Sequence, residues 1–316
     1  MASTPKTLQE AIIFFADKKN CHEFMVSMRW PEGVVTCPRC GSENVKYSEK
    51  YNRWQCGSHH ERRQFTLKTG TPMEDSPLGL EKWLPCIWFV ANCKNGISSY
   101  EVHRALGVTQ KTAWFMLHRV RLMLQGETEG KLSGEVEVDE TFIGGKARNM
   151  HVSKRKRRIT GTGGRDKAVV FGMVERGGQI RTQVVTSNTK PILQGHVREN
   201  VEAGAALYSD ALLSYVGLER DYAHGVIDHA IAYVDGAVHT NTLENFWSLL
   251  KRGINGTYIS VEPFHLFRYL DEQAFRYNNR KNMTDSDRFV LAASQIVGKR
   301  LTYAEVTGKC GETTLH

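Results

Sequence analysis

A chain of 316 residues, 41% apolar and 24% charged, is long enough for about two domains with hydrophobic cores, and its composition excludes disordered, collagen-like and coiled-coil readings. Lys plus Arg exceed Asp plus Glu by 42 − 34 = 8 and the pI is about 9.1, which favours a polyanionic partner. The longest apolar run, Trp83 to Ala91, falls far short of the roughly 20 residues that cross a bilayer, and the start M-A-S-T-P-K-T-L-Q-E lacks a signal-peptide apolar region. The expectation is a soluble cytoplasmic protein with no membrane partner.

Residues 1–30 read as a helical segment, with Ala11 to Phe15 and then Phe24, Met25, Met28 and Trp30 apolar and Pro31 closing it. Residues 31–72 read as a zinc ribbon. Cys37-Pro38-Arg39-Cys40-Gly41 is a C-x-x-C knuckle, and Cys56 follows Cys40 by sixteen positions with His59 and His60 just beyond. Two thiolates on a tight turn and a second pair from a neighbouring hairpin suit tetrahedral zinc, one structural ion with either His59 or His60 as fourth ligand. The remaining cysteines fit no framework of disulfides: the total of seven is odd, and Cys86 and Cys93 sit on an apolar helix as core residues.

Residues 73–125 read as a helix-turn-helix region. Val102, Ala105, Leu106 and Val108 form one short apolar face, Gly107 the turn, Thr109 an N-cap, and Ala113, Met116, Leu117, Val120 and Leu124 a second face. Two short helices about a glycine turn fit a major groove, and Gln110, Lys111, Thr112, Trp114, His118 and Arg119 are the side chains expected to face DNA. The Gly-rich stretch Gly126 to Gly134 reads as a linker.

Beyond it the pattern turns to strands: Glu135 to Ile143, Lys167 to Glu175 and Gln179 to Thr186, the last two joined by a Gly177-Gly178 turn. A helix over Pro191 to Glu202, a strand Ala205 to Ser209 ending at Asp210, and helices after Thr240 complete an α/β plan for residues 135–290, with 291–316 as a C-terminal tail. Asp139 lies in an apolar-alternating strand, where a charge needs a partner, and Asp210 closes a second strand. In the helix from His239, Leu243, Phe246, Trp247, Leu250 and Ile254 make an apolar face, while Asn241, Glu244, Ser248 and Lys251 line the opposite one. Three carboxylates on two strands and a helix can hold two hard divalent cations through oxygen, as in-line attack on a phosphodiester requires. Glu135, Glu137 and Glu140 read as solvated strand residues.

These residues resemble the insertion-sequence transposases of the ISXO-like, zinc-ribbon DDE family, related to the Merlin elements. The resemblance rests on R-W-P-E-G-V from Arg29, C-P-R-C-G-S from Cys37, T-G-T from Thr69 with the Leu and Trp downstream to Trp83, V-D-E-T-F-I-G-G-K from Val138, Y-S-D from Tyr208 and H-T-N-T-L-E-N-F-W-S-L-L-K-R-G from His239. It implies a ribonuclease H-like catalytic domain behind the ribbon and helix-turn-helix, with Asp139, Asp210 and Glu244 as ligands of two Mg2+ (or Mn2+) ions and Lys251 on a DNA phosphate. Family ribbons usually end in C-x-x-C, where this chain has Cys56 and histidines. Some relatives carry Asn as the third ligand; Asn241 and Asn245 flank Glu244 here, but Glu244 has the seven-residue offset to Lys251.

Lys146 to Lys167 holds nine basic residues, Lys154, Arg155, Lys156, Arg157 and Arg158 among them, against the single acid Asp166, and reads as a loop that closes on a phosphate backbone. The combined expectation is a DNA transposase that binds the terminal inverted repeats of a mobile element, cuts by hydrolysis and joins the released 3′-hydroxyl to target DNA. Its partner is double-stranded DNA, and it acts as a homodimer or larger assembly. The alternatives are a non-catalytic regulator built from ribbon and helix-turn-helix, and a metal-dependent nuclease without strand transfer.

Overall fold

Thr7 accepts a hydrogen bond from the Glu10 amide and starts helix α1, Leu8–Ala16; Asp17 accepts one from the Lys19 amide and starts α2, Lys18–Arg29. The expected single helical segment is therefore two helices, because Asp17 is a better cap than helix interior and takes an extended backbone. In this computed structural model the described residues are 4–126, 130–145, 150–153, 155, 167–227 and 239–309. They divide into two units, one of residues 1–126 with the segment from Asn279 onward, the other of residues 127–278.

In the first unit, β1 (Val45–Ser48), β2 (Arg53–Cys56) and β3 (Gln64–Phe65) form an antiparallel three-stranded ribbon in that order. Trp54 on β2 is its hub, with the Phe65 ring stacked 5.7 Å away, Trp30 edge-on at 5.4 Å and Tyr47 at 4.7 Å. The ribbon is tied to α2 by Arg29, whose buried guanidinium donates to the carbonyls of Leu67 and Thr69. Helix α3 (Leu80–Asn92) buries Trp83, Leu84, Cys86 and Ile87. A capping box of Ser98 and Glu101 starts α4 (Ser99–Leu106), Gly107 ends it at φ 62°, and the Thr109 side chain caps α5 (Gln110–Met123).

The segment from Asn279 returns to this unit. Phe289 on α9 (Asp285–Ser294) lies 5.2–5.3 Å from the rings of Phe15, Phe24 and Trp88. Val306 on the short α10 (Tyr303–Val306) is also fully buried. The expected boundary at 290 and the tail at 291–316 are corrected accordingly: Phe289, Ala292, Ala293 and Ile296 are fully buried here, and leaving them in water would forfeit their burial free energy.

The second unit is one mixed sheet of β4 (Glu135–Ile143), β5 (Ala168–Glu175), β6 (Ile180–Val185), β7 (Ala206–Asp210) and β8 (Ala223–Ile227), ordered β6-β5-β4-β7-β8. β4 runs antiparallel to β5 and parallel to β7, and β8 is parallel to β7. On one face Val136, Val138, Phe171 and Leu207 pack with Leu193 and Val197 of α6 (Lys190–Asn200). On the other, Ile143, Val170 and Val174 pack with Leu243, Phe246, Trp247 and Leu250 of α7 (Asn241–Arg252) and Leu266 and Leu270 of α8 (Leu266–Asn278). With both faces covered, β4 is a central strand buried on both sides.

Candidate active site

Cys37, Cys40, Cys56 and His60 place their ligand atoms within 4.8 Å of one another. The Cys37 sulfur is 3.6 Å from His60 Nε2 and the Cys40 sulfur 3.7 Å from that of Cys56, close to the edge of roughly 3.8 Å that a tetrahedron of zinc–sulfur bonds requires. Local turns set this geometry: the Gly41 amide donates back to the Cys37 carbonyl, and Gly41 takes φ 73°. His60 keeps Nδ1 2.6 Å from the Glu61 carbonyl, leaving Nε2 for a metal. Burial raises the Cys56 thiol, yet its bond to His60, the Ser58 amide and the neighbouring thiols bring it down to about 6, as a thiolate ligand needs. His60, rather than the exposed His59, groups with the three cysteines. The donor set fits one structural zinc.

The second unit carries carboxylates in the middle of β4 and at the end of β7. The parallel register pairs Glu137 with Tyr208, and two residues further along both strands stand Asp139 and Asp210, on the same face. Asp139 Oδ2 accepts the Trp247 indole N–H at 2.9 Å, and Oδ1 accepts the Glu140 amide at 2.8 Å. Burial, then the charges of Glu140 and Asp210, push the Asp139 carboxyl up to about 7 against those two bonds. Asp210 Oδ1 accepts the Leu212 amide. Helix α7 turns Leu243, Phe246, Trp247 and Leu250 inward and leaves Asn241, Glu244, Asn245, Ser248 and Lys251 exposed.

An open cavity of about 480 Å³ is lined by Asp139, Glu140, Thr141, Glu244, Trp247, Ser248 and Lys251. Asp139 and Glu244 thus meet in one cleft with Lys251 beside them, and the charge of Asp210 reaches Asp139. Among the described residues, the cysteine–histidine group is the cluster of three or more metal-ligating side chains. Oxygen donors alone and mutual repulsion among buried acids suit a hard divalent cation.

Two acids first read as solvated belong to this region. Glu140 is partly buried, accepting the Tyr215 hydroxyl at 2.7 Å and the Asn188 amide at 3.4 Å, and its carboxyl is raised first of all by burial. Glu137 is 0% exposed and ion-paired to Arg176. Only Glu135 is exposed.

In the helix pair of the first unit, Lys111 is exposed and Gln110, Thr112 and Trp114 are half-buried. His118 and Arg119 do not face outward: His118 is fully buried, and Arg119 donates to the carbonyls of Leu301 and Glu74. The returning C-terminal segment covers that side of α5, and the Tyr303 ring lies 4.9 Å from the Lys111 ammonium. Of the basic stretch, Lys154, Lys156, Arg157 and Arg158 lie outside the described residues; Arg155 is exposed.

The chain thus combines a ribbon bearing a Cys3His cluster with a sheet bearing a carboxylate cleft. Residues 131–278 match the family model of the ISXO2-like transposase domain, and residues 16–60 match that of the transposase zinc-ribbon domain. In both matched regions the chain is similar to the ISXO2-like, zinc-ribbon transposases. It is also similar to a protein of Halobacterium salinarum described as an uncharacterized protein in transposable element ISH50, with 27% identity over 254 residues, 76% of this chain and 84% of the relative. Among the described residues no helix is long and apolar enough to cross a membrane.

Proposed function

We propose that this protein is a transposase that binds the terminal inverted repeats of its element and catalyses metal-dependent strand cleavage and strand transfer. The catalytic unit is read as ribonuclease H-like, a reading supported by the mixed five-stranded sheet with helices on both faces and an acid at its central strand. Asp139, Asp210 and Glu244 would hold the cations, and Lys251 would hold a DNA phosphate. Mg2+ held by these carboxylates would supply Lewis-acid activation of an attacking oxygen.

The chain's own contribution is positional and electrostatic. Trp247 fixes the Asp139 carboxylate, and the Lys251 ammonium lies along the cleft to pair with the phosphate next to the scissile bond. DNA recognition is assigned to the zinc ribbon and to the α4–α5 helix-turn-helix through Gln110, Lys111 and Thr112, with Tyr100 and Arg104 exposed on α4 beside them. The 150s basic stretch, including Arg155, supplies phosphate contacts. Two ends must be held together for joining, so the working form is a dimer or larger assembly on DNA.

The observation that carries this reading is the shared cleft of Asp139, Glu244 and Lys251. Its test is incubation of the full chain with labelled element ends and Mg2+. Cleavage and joining by the wild type, lost in Asp139→Asn, support it. Binding with no cleavage by the wild type leaves the regulator, and cleavage without joining leaves the nuclease.

A further inference from the structure

We propose that Glu137 is a positioning residue of the active site: it anchors the start of α7 to β4 and so sets Glu244 against Asp139. The proposal rests on the reading of Asp139 and Glu244 as cation ligands. A buried carboxylate is unfavourable unless fully bonded, and Glu137 is 0% exposed. Its Oε2 accepts the amides of Thr242 at 2.9 Å and Leu243 at 3.2 Å, and its Oε1 accepts the Thr242 hydroxyl at 2.8 Å and Arg176 Nε at 2.8 Å. His239 Nδ1 is 3.3 Å from the same oxygen. Arg176 also donates to the His239 carbonyl and lies over the Tyr208 ring at 4.3 Å.

Helix α7 has no cap of its own, since the Thr240 side chain makes no capping bond. The first-turn amides that a local Ser or Thr would satisfy are satisfied instead by a carboxylate from the sheet, at the positive end of the helix dipole. A second tie comes from the same strand and face two residues on, where Asp139 takes the Trp247 indole at 2.9 Å. Two strand residues advance roughly 6.6 Å. From the Thr242–Leu243 amides to Trp247 the helix advances about 7 Å. The two ties therefore match in pitch, and α7 cannot slide or turn on β4 without straining both. Glu244 lies between them in sequence, on the face turned to the cleft. Gly172, paired with Asp139 on β5, makes room for the second tie, because a Cβ there would lie 2.6 Å from the Trp247 ring.

The test is Mn2+ binding by the full chain without DNA, read by electron paramagnetic resonance, alongside thermal melting. Asp139→Asn is the reference and should lose the site. Glu137→Gln should weaken Mn2+ binding by about tenfold, the scale at which residues that orient ligands act. Thr242→Val removes one hydrogen bond of the first tie without stranding a buried charge and should weaken it by about threefold, the scale of one net hydrogen bond. A purely structural ion pair would lower the melting temperature of Glu137→Gln and leave Mn2+ affinity of the folded protein within twofold of wild type; that result overturns the proposal while the site reading stands. If Glu137→Gln does not fold, wild-type affinity in Thr242→Val overturns it. Mn2+ binding undisturbed by Asp139→Asn overturns the site reading and this proposal with it.

Discussion

The zinc ribbon and the carboxylate cleft are both candidate metal centres, built on opposite plans. The ribbon draws four ligands from 24 consecutive residues, Cys37 to His60, and brings them within 4.8 Å of one another by local turns. The cleft draws its acids from a strand and a helix over more than a hundred residues, with Asp210 at a neighbouring strand end, and sheet register and helix docking decide where they stand. Closed soft-ligand sites contribute folding energy; open hard-ligand sites store repulsion that a cation and substrate relieve. The ribbon should therefore lose stability when its ligands change, and the cleft should lose function or even gain stability.

The largest effect is expected in the ribbon. Cys56→Ser should abolish the near one-per-chain zinc and unfold β1 to β3, a loss of several kcal/mol, since most of a small zinc module's stability is metal binding. Metal analysis and proteolysis of residues 31–72 check it; full zinc content with His60→Ala would show the fourth ligand misassigned. Next comes Gly172→Ala, which forces its Cβ against the Trp247 ring and should destabilise the second unit by about 2 kcal/mol, measured by urea unfolding.

A smaller effect, of opposite sign, is expected at Asp139. Its carboxyl is raised to about 7, so the folded state holds this proton more tightly than the unfolded chain does. Stability from this group is greatest below about pH 4 and is lost as pH rises through 7. In chelator at pH 8, Asp139→Asn should raise stability by about 1 kcal/mol, after allowance for the bond from the Glu140 amide that Asn weakens, and at pH 4 it should give no gain. A gain independent of pH would contradict burial of a charged Asp139. The smallest structural effect should follow neutralisation of Lys154 to Arg158: stability unchanged, and DNA affinity with a shallower salt dependence but the same sequence preference.

The same contrast explains what was legible in the sequence. Ribbon spacing identified three thiolates, and only the ring positions separate His60 from His59. The strands bearing Asp139 and Asp210 and the outward stripe of α7 follow from periodicity. Glu137 and Glu140 were misread because a charge on a strand usually marks a solvated face, whereas β4 is covered on both sides and its acids are bonded to other elements. β8 escaped notice because A-H-G-V-I is short and carries glycine at its centre. His118 and Arg119 looked exposed because the segment that covers them arrives from residues near 300, a long-range contact with no local signature.

Glu244→Gln tests the central claim most directly, because the exchange keeps size and helix propensity on an exposed position and leaves Phe246 and Trp247 packed. In cleavage of labelled element ends with Mg2+, it should retain DNA binding and lose on the order of 10²-fold or more in rate, while Asn245→Ala, about 100° round the helix, should cleave close to wild type. Wild-type cleavage by Glu244→Gln, with Asn245→Ala inactive, would contradict the assignment of the third carboxylate.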